Sequence, residues 1–132
     1  MAGQRDAYEA IDANIRALVY QVNGFPGIRT VASCGGHPDP GPGQNPQGVW
    51  DVLFVVDHTE EGWRSLEFLA WVAHDIRRGL GDIWLLADSA PPYLNTPGQT
   101  LKFGLSGRVD PSRVAHLMGE WRGESYVPAR PE

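Results

Sequence analysis

The residue types best suited to chemistry in this chain stand together in one run, Ser33-Cys34-Gly35-Gly36-His37. The run contains the only cysteine and one of the four histidines. Its two glycines allow backbone angles that other residues avoid, and they let a ligand approach the main chain closely. Because the run follows a predicted strand and precedes a proline- and glycine-rich segment, we expect it to form a loop. We therefore predict a ligand-binding site at this loop.

Three residues outside the loop are further candidates for the same site. Arg29 flanks the predicted strand and could pair with an anionic ligand, or with a surface carboxylate. Asp57 and His58 follow the strongest predicted strand, at a position that also suits an ordinary turn into the next helix.

The Cys34 loop is compatible with three kinds of chemistry. A nearby imidazolium would activate the Cys34 thiol as a nucleophile, but the sequence identifies no acid or amide that would orient His37. The same two residues have a spacing used by zinc ligands, which Asp39 or His58 could join. A second cysteine or histidine pair is missing, so the sequence by itself does not predict a metal site.

The third possibility uses the backbone. Successive N–H groups around Gly35 and Gly36 can form a nest that holds a phosphate or carboxylate. The run is neither a P-loop nor a dinucleotide fingerprint, since Gly-Lys-Ser/Thr and Gly-x-Gly-x-x-Gly are both absent. Of the three possibilities, we favour binding of a small anionic or nucleotide-like ligand.

The whole-chain properties limit the class of protein. At 132 residues, with five tryptophans and 42% apolar residues, the chain fits one globular domain. No apolar run is long enough to span a membrane, and a single cysteine cannot form an internal disulfide, so we expect a cytoplasmic protein. The net charge of −5 argues against a dedicated nucleic-acid binder.

Periodicity and turn residues predict the elements that must position the loop. A helix over about residues 6–22 precedes the strand that ends at Ser33, and a strand over 49–57 follows the long loop. A helix to about Arg78, strands over 83–88 and 100–106, and a helix from Pro111 to Gly123 complete the order. On the second helix, Trp71 lies opposite the buried stripe and is either an exposed aromatic residue or part of a dimer contact, and we favour the dimer contact.

The predicted fold class is α+β: a helix followed by two strand-strand-helix units. We expect a four-stranded, largely antiparallel sheet with helices packed on one face. Residues 1–123 would form this single domain, and residues 124–132 a frayed tail.

The first third of the chain also resembles a known family. The resemblance is carried by Ile11-Asp12, by the helix that ends at Asn23, and by Thr30-Val31-Ala32-Ser33-Cys34-Gly35-Gly36-His37. This order is similar to the opening of the wybutosine-synthesis tRNA N-methyltransferase family, in which a strand leads into Thr-x-Ser-Ser-Cys-Ser-Gly-Arg. Gly35 and His37 stand where that family has serine and arginine.

The resemblance implies a related fold, with the Cys34 loop at a substrate-facing cleft. It also implies S-adenosylmethionine as a possible cofactor and methyl transfer to a modified nucleoside or tRNA as an alternative function. A third hypothesis is a phage- or defence-related interaction protein, which the acidic balance and the proline-rich loops would suit. Whether the chain is an enzyme stays open at this point.

Overall fold

The computed structural model describes residues 11–87 and 102–126. A short 3-10 turn, Ala13–Ile15, leads directly into the first helix. The helices and strands, in chain order, are α1 Arg16–Asn23, β1 Ile28–Cys34, β2 Trp50–Val56, α2 Glu60–Gly79, β3 Ile83–Ala87, β4 Lys102–Gly107 and α3 Pro111–Ser125.

The four strands form one antiparallel sheet in the order β1-β2-β4-β3. Cys34 lies opposite Asp51 at one end of the β1–β2 pair, and Ile28 lies opposite Val56 at the other end. The register shifts once, between Thr30 and Ala32. The predicted α+β class, with a helix followed by two strand-strand-helix units, is confirmed.

The alternation of side chains along β2 decides which face of the sheet is covered. Trp50, Val52 and Phe54 are at most 2% exposed and point into the core. The residues between them, Asp51 and Leu53, are only half-buried. The core side is filled by apolar residues of all three helices, among them Leu18, Val19, Val22, Leu69, Val72, Ile76, Val114 and Met118. The described helices therefore cover one face of the sheet, as predicted.

Two predicted boundaries are wrong. Residues 6–10 of the predicted first helix lie outside the described residues, and in the described part the helix begins only at Arg16, after the 3-10 turn. Asp12 is not helical, with φ −51° and ψ 132°, and its carboxylate accepts a hydrogen bond from the Cys34 loop. The last helix does not end at Gly123 but continues to Ser125. Of the predicted tail, residues 127–132 lie outside the described residues.

The long helix α2 has favourable charges and a cap at its ends. The Thr59 hydroxyl accepts a hydrogen bond from Gly62 N at 3.1 Å, and Glu60 and Glu61 lie in the first turn, where the helix dipole favours negative charge.

Trp71 is 41% exposed, and its ring packs edge-on against Trp121 at a centroid distance of 5.3 Å. None of the described helices combines the length and the apolar character needed to cross a bilayer.

Matched glycine substitutions in two helices should have opposite effects on stability. A methyl group on Gly62 of α2 would run into the carbonyl oxygen of Asp57, whereas at Gly123 of α3 nothing lies within 4 Å. We expect Gly123→Ala to raise the free energy of unfolding by about 0.5–1 kcal/mol, because alanine is the better helix former. Gly62→Ala should lower it by about 1–3 kcal/mol, because backbone must move. Urea denaturation of both variants measures the difference, and a stabilised Gly62→Ala variant would contradict the close packing of Gly62 against the Asp57 carbonyl.

Candidate functional site

The Cys34 loop begins where β1 ends and returns to the sheet at Trp50. Gly36 has a φ of 91°, a backbone conformation that favours glycine. A side chain there would also come within 2.8 Å of the carbonyl oxygens of Pro46 and Val49. The loop closes on itself through His37 N, which donates to the Asn45 carbonyl at 2.9 Å. These contacts give the thiol and the imidazole a defined position.

Asp12, which lies just before the 3-10 turn, joins the N-terminal part of the chain to this loop. Its Oδ2 accepts a hydrogen bond from Gly35 N at 2.8 Å and lies 3.2 Å from His37 Nε2. Two residues further on, the Asn14 amide donates to Gly35 O at 2.8 Å. Both backbone groups of Gly35 are therefore bonded to side chains more than 20 residues away in sequence.

A side chain on Gly35 would collide with Asn14, so the close approach of these two segments requires glycine at this position. Gly35 is thus needed for the packing of the loop against the segment before α1. From the sequence we had expected the two glycines only to give a ligand access to the backbone.

The Cys34 side chain is 9% exposed and lies beneath the returning half of the loop. Its Sγ accepts a hydrogen bond from Asn45 N at 3.4 Å. The Asn45 amide in turn donates to Asp51 Oδ2 at 2.9 Å. Asn45 therefore connects the thiol to the carboxylate that lies opposite it in the sheet.

Asp12, Cys34 and His37 bring three different ligand atoms together. A carboxylate oxygen, the thiol sulfur and an imidazole nitrogen all lie within 4.8 Å of one another. This is the one such group of three or more His, Cys, Asp or Glu residues found among residues 11–87 and 102–126. The arrangement suits two kinds of chemistry: coordination of a metal ion, and a thiol with a neighbouring base and an orienting acid.

One N–H group of the predicted anion nest already has a hydrogen-bond acceptor within the chain. Gly35 N, which would donate to a bound phosphate or carboxylate, donates to the Asp12 carboxylate. Asp51 lies close by, and Asp39 is exposed on the same loop, so the surroundings are acidic. An anion binding here directly to the backbone would meet electrostatic repulsion, whereas a cation would be attracted.

The remaining predicted site residues do not belong to this group. Ser33 is next to Cys34, but it pairs with Val52 and lies outside the Asp12–Cys34–His37 cluster. Arg29 is opposite Val55, five residues back along β1 from Cys34, which is about 17 Å in a strand.

Asp57 and His58 follow β2 at this same far end, since β2 runs antiparallel to β1. There the His58 ring packs on Trp63 and lines an open groove at the start of α2. His58, which the sequence offered with Asp39 as a residue that could join Cys34 and His37, therefore lies at the other end of the β1–β2 pair.

Sequence reasoning missed Asp12 as a member of the site, because it is separated from Cys34 by a helix. The sequence did contain one signal, since Asp12 is among the residues that carry the resemblance to the wybutosine-synthesis methyltransferase family. Asp12 bonds to Gly35, and Asn23 Oδ1 accepts hydrogen bonds from Thr30 N at 3.0 Å and from Thr30 Oγ1 at 3.3 Å. Several residues of the resemblance thus contact one another across the α1–β1 connection.

Comparisons with protein families, curated proteins and solved structures gave no match to this chain. The similarity to the wybutosine-synthesis methyltransferases therefore stays a prediction, and any function has to be argued from the chemistry of the site.

Replacing Asp12 should loosen the Cys34 loop. In Asp12→Ala the amide of Gly35 loses its acceptor, and losing a hydrogen bond to a charged group costs about 1.5–3 kcal/mol. We expect amide hydrogen exchange at Gly35 to speed up by about 10- to 100-fold, a factor that corresponds to this range of free energy. Asp39→Ala, which removes an exposed carboxylate from the same loop, is the control and should leave this rate unchanged. Equal exchange rates in both variants would show that Asp12 does not hold the loop.

Proposed function

We propose that this protein binds a divalent transition-metal ion, with zinc the best match, through Asp12, Cys34 and His37. The observation that supports this most is the convergence of three ligand atoms of different chemistry within 4.8 Å. Zinc accepts thiolate, imidazole and carboxylate ligands together. Magnesium and calcium prefer oxygen ligands only, so the thiol of Cys34 argues against them.

The spacing of the ligand atoms supports tetrahedral coordination. With metal–ligand bonds of about 2.0–2.2 Å, neighbouring nitrogen and oxygen ligands of a tetrahedral zinc lie about 3.3 Å apart. The distance between His37 Nε2 and Asp12 Oδ2 is 3.2 Å. A small movement of side chains would then bring the sulfur to its own bonding distance of about 2.3 Å.

Neighbouring groups hold two of the three ligands in place before any ion arrives. Gly35 N orients the Asp12 carboxylate, and Asn45 N orients the Cys34 sulfur. Contacts of this kind are typical of the outer shell of metal sites, where they fix the direction of the ligands and strengthen binding.

Three protein ligands leave a fourth position for water or a small molecule, as in zinc sites that take part in reactions. An anionic or nucleotide-like ligand, the class expected from the sequence, would bind at this position and be attracted by the metal charge. In this proposal the ligand contacts the metal and the backbone glycines do not hold it directly. A reducing, cytoplasmic location belongs to the same proposal, because it keeps Cys34 as a free thiol.

A second candidate function uses the same residues without a metal. In this candidate Cys34 is the nucleophile, His37 the base and Asp12 the carboxylate that orients His37, with Asp12 Oδ2 at 3.2 Å from His37 Nε2. Asp12 would be the acid that the sequence alone did not identify. S-adenosylmethionine-dependent methyl transfer is supported only by the resemblance.

Titration of metal-free protein with Co²⁺ and Zn²⁺ tests the metal proposal. We expect one ion per chain and, for Co²⁺, a thiolate-to-metal absorption band that is absent in Cys34→Ser. Cys34→Ser and His37→Ala should each weaken Zn²⁺ binding by about 100-fold or more, since even outer-shell changes cost 10–100-fold. His58→Ala is the matched control, because His58 lies at the far end of β2, and it should bind normally. Zinc binding that is absent, or equal in all variants, contradicts the proposal.

Alkylation of Cys34 by iodoacetamide separates the two candidates. The thiolate attacks the reagent and iodide leaves, so the rate reports how free and how nucleophilic the sulfur is. If a metal is bound, we expect stoichiometric Zn²⁺ to slow alkylation by about tenfold or more, because the sulfur electrons are engaged in the metal bond. Asp12→Asn should reduce this protection. A rapid rate that zinc leaves unchanged, and that falls in His37→Ala, would favour the nucleophile.

A further inference from the structure

The thiol of Cys34 is the most enclosed of the three candidate ligands. Cys34 is 9% exposed, whereas the side chains of His37 and Asp12 are 28% and 36% exposed. The sulfur is covered by the returning half of the loop, residues 43–48, which we call the strap. Access to the sulfur therefore depends on whether the strap is closed.

One residue of the strap is turned toward the protein. Every residue from 38 to 48 is exposed except Asn45, which is half-buried. Its N–H donates to Cys34 Sγ at 3.4 Å, and its carbonyl accepts a hydrogen bond from His37 N at 2.9 Å. Its side-chain amide donates to Asp51 Oδ2 at 2.9 Å. Asn45 therefore holds the strap against two of the candidate ligand residues and against the sheet.

The bond to Asp51 differs from the other two because Asp51 belongs to the sheet. It lies in the middle strand β2, opposite Cys34 on one side and Ser106 on the other. A hydrogen bond to a carboxylate is stronger than one between neutral groups. The contact between Asn45 and Asp51 is thus the strongest of the three links that Asn45 makes.

The backbone allows the strap to turn at both ends. The strap begins at Gly43 and ends at Gly48, whose φ angles are 77° and 91°. Glycine exchanges such angles for ordinary ones at little cost. Apart from the chain neighbours, no atom lies within 4 Å of the position that a Cβ would take at either glycine. A segment with so few packed atoms opens locally at a low free energy.

We infer that the hydrogen bond between Asn45 and Asp51 is a latch that controls access to the Cys34 sulfur. While the bond is made, the strap covers the sulfur. When it breaks, the strap turns about its two glycines and the sulfur is exposed. For a metal ion the latch regulates capture and release, and this part of the inference rests on the proposed function.

Alkylation of metal-free protein by iodoacetamide, with a chelator present, measures how readily the strap opens. Asn45→Ala removes the latch without changing any charge, and it keeps the backbone N–H that bonds to the sulfur. We expect alkylation to become about tenfold or more faster, because the lost bond is one to a charged group. The rates are compared at a pH where they no longer rise, so that every variant reacts as the thiolate.

Three further variants separate the latch from its surroundings. Asp51→Ala should accelerate alkylation as Asn45→Ala does, and Asp51→Asn should restore part of the closure, since its amide oxygen still accepts a hydrogen bond. Gln44→Ala is the matched control from the same strap. The Gln44 side chain accepts a hydrogen bond from Gly41 N at 2.8 Å within the exposed part of the loop, so its loss should leave the alkylation rate unchanged.

The double variant Asn45→Ala/Asp51→Ala should react no faster than the faster single variant, because both changes break the same bond. Urea denaturation of each variant shows whether the opening is local. Four outcomes would overturn the inference. They are a wild-type rate in Asn45→Ala, an equal acceleration in Gln44→Ala, additive effects in the double variant, and rates that follow the free energy of global unfolding.

Zinc-loaded protein separates this inference from the proposed function. We expect Asn45→Ala to release Zn²⁺ to excess chelator faster than the wild type, and equal rates would show that the latch does not act on the metal. If the wild type binds no zinc while Asn45→Ala still accelerates alkylation, the metal proposal fails and the latch stands. If zinc binds and alkylation is unchanged, the latch fails and the metal proposal stands.

Discussion

Burial of one face of the sheet under three helices is the constraint on which the rest of this structure depends. It requires Val52 and Phe54 of β2 to point inward, so Asp51 and Leu53 must point the other way. A slip of one residue would place a carboxylate in the core, and the register is therefore firmly specified. The same register sets Cys34 opposite Asp51 and lines up the residues of the uncovered face. The position of the candidate metal site is thus a consequence of how β2 is buried.

The Asp12 carboxylate connects the segment before α1 to the loop at the end of β1. It meets an amide of the loop and the His37 ring at once, and Asn14 adds a second link through Gly35 O. Without these contacts the thiol and imidazole would lie on a loop held mainly by its own backbone. With them, the three ligand atoms lie within 4.8 Å of one another. An acidic carboxylate at the centre also explains why a cation suits this loop better than an anion.

The fold could be predicted from the sequence to a large extent, since apolar periodicity and turn residues are local signals. The alternation along β2 and the three-four spacing of the helices indicated the order of elements and the covered face. The start of the first helix was less predictable, because Asp12 belongs by pattern to the helix but bonds to a distant loop instead. The position of His58 could not be predicted for a related reason: it could have joined Cys34 and His37 as a metal ligand, but it lies at the other end of the β1–β2 pair. The sequence shows that a residue lies at the end of a strand. Whether two such residues lie at the same end of the sheet depends on the strand directions, which only the tertiary structure gives.

The amino-acid sequence by itself determined the class of fold, the position of the Cys34 loop and the residue types available there, because these follow from local chain geometry and composition. Only the tertiary structure decided that Asp12 lies beside Cys34 and His37 and that Arg29, Asp57 and His58 lie elsewhere. It also decided that Gly35 N is bonded to the chain's own carboxylate. These facts depend on antiparallel pairing and on the packing of α1 beside β1, which bring together residues that are far apart in the chain. No local pattern contains that information, since the distance between two side chains in space is set by the path of all the residues between them.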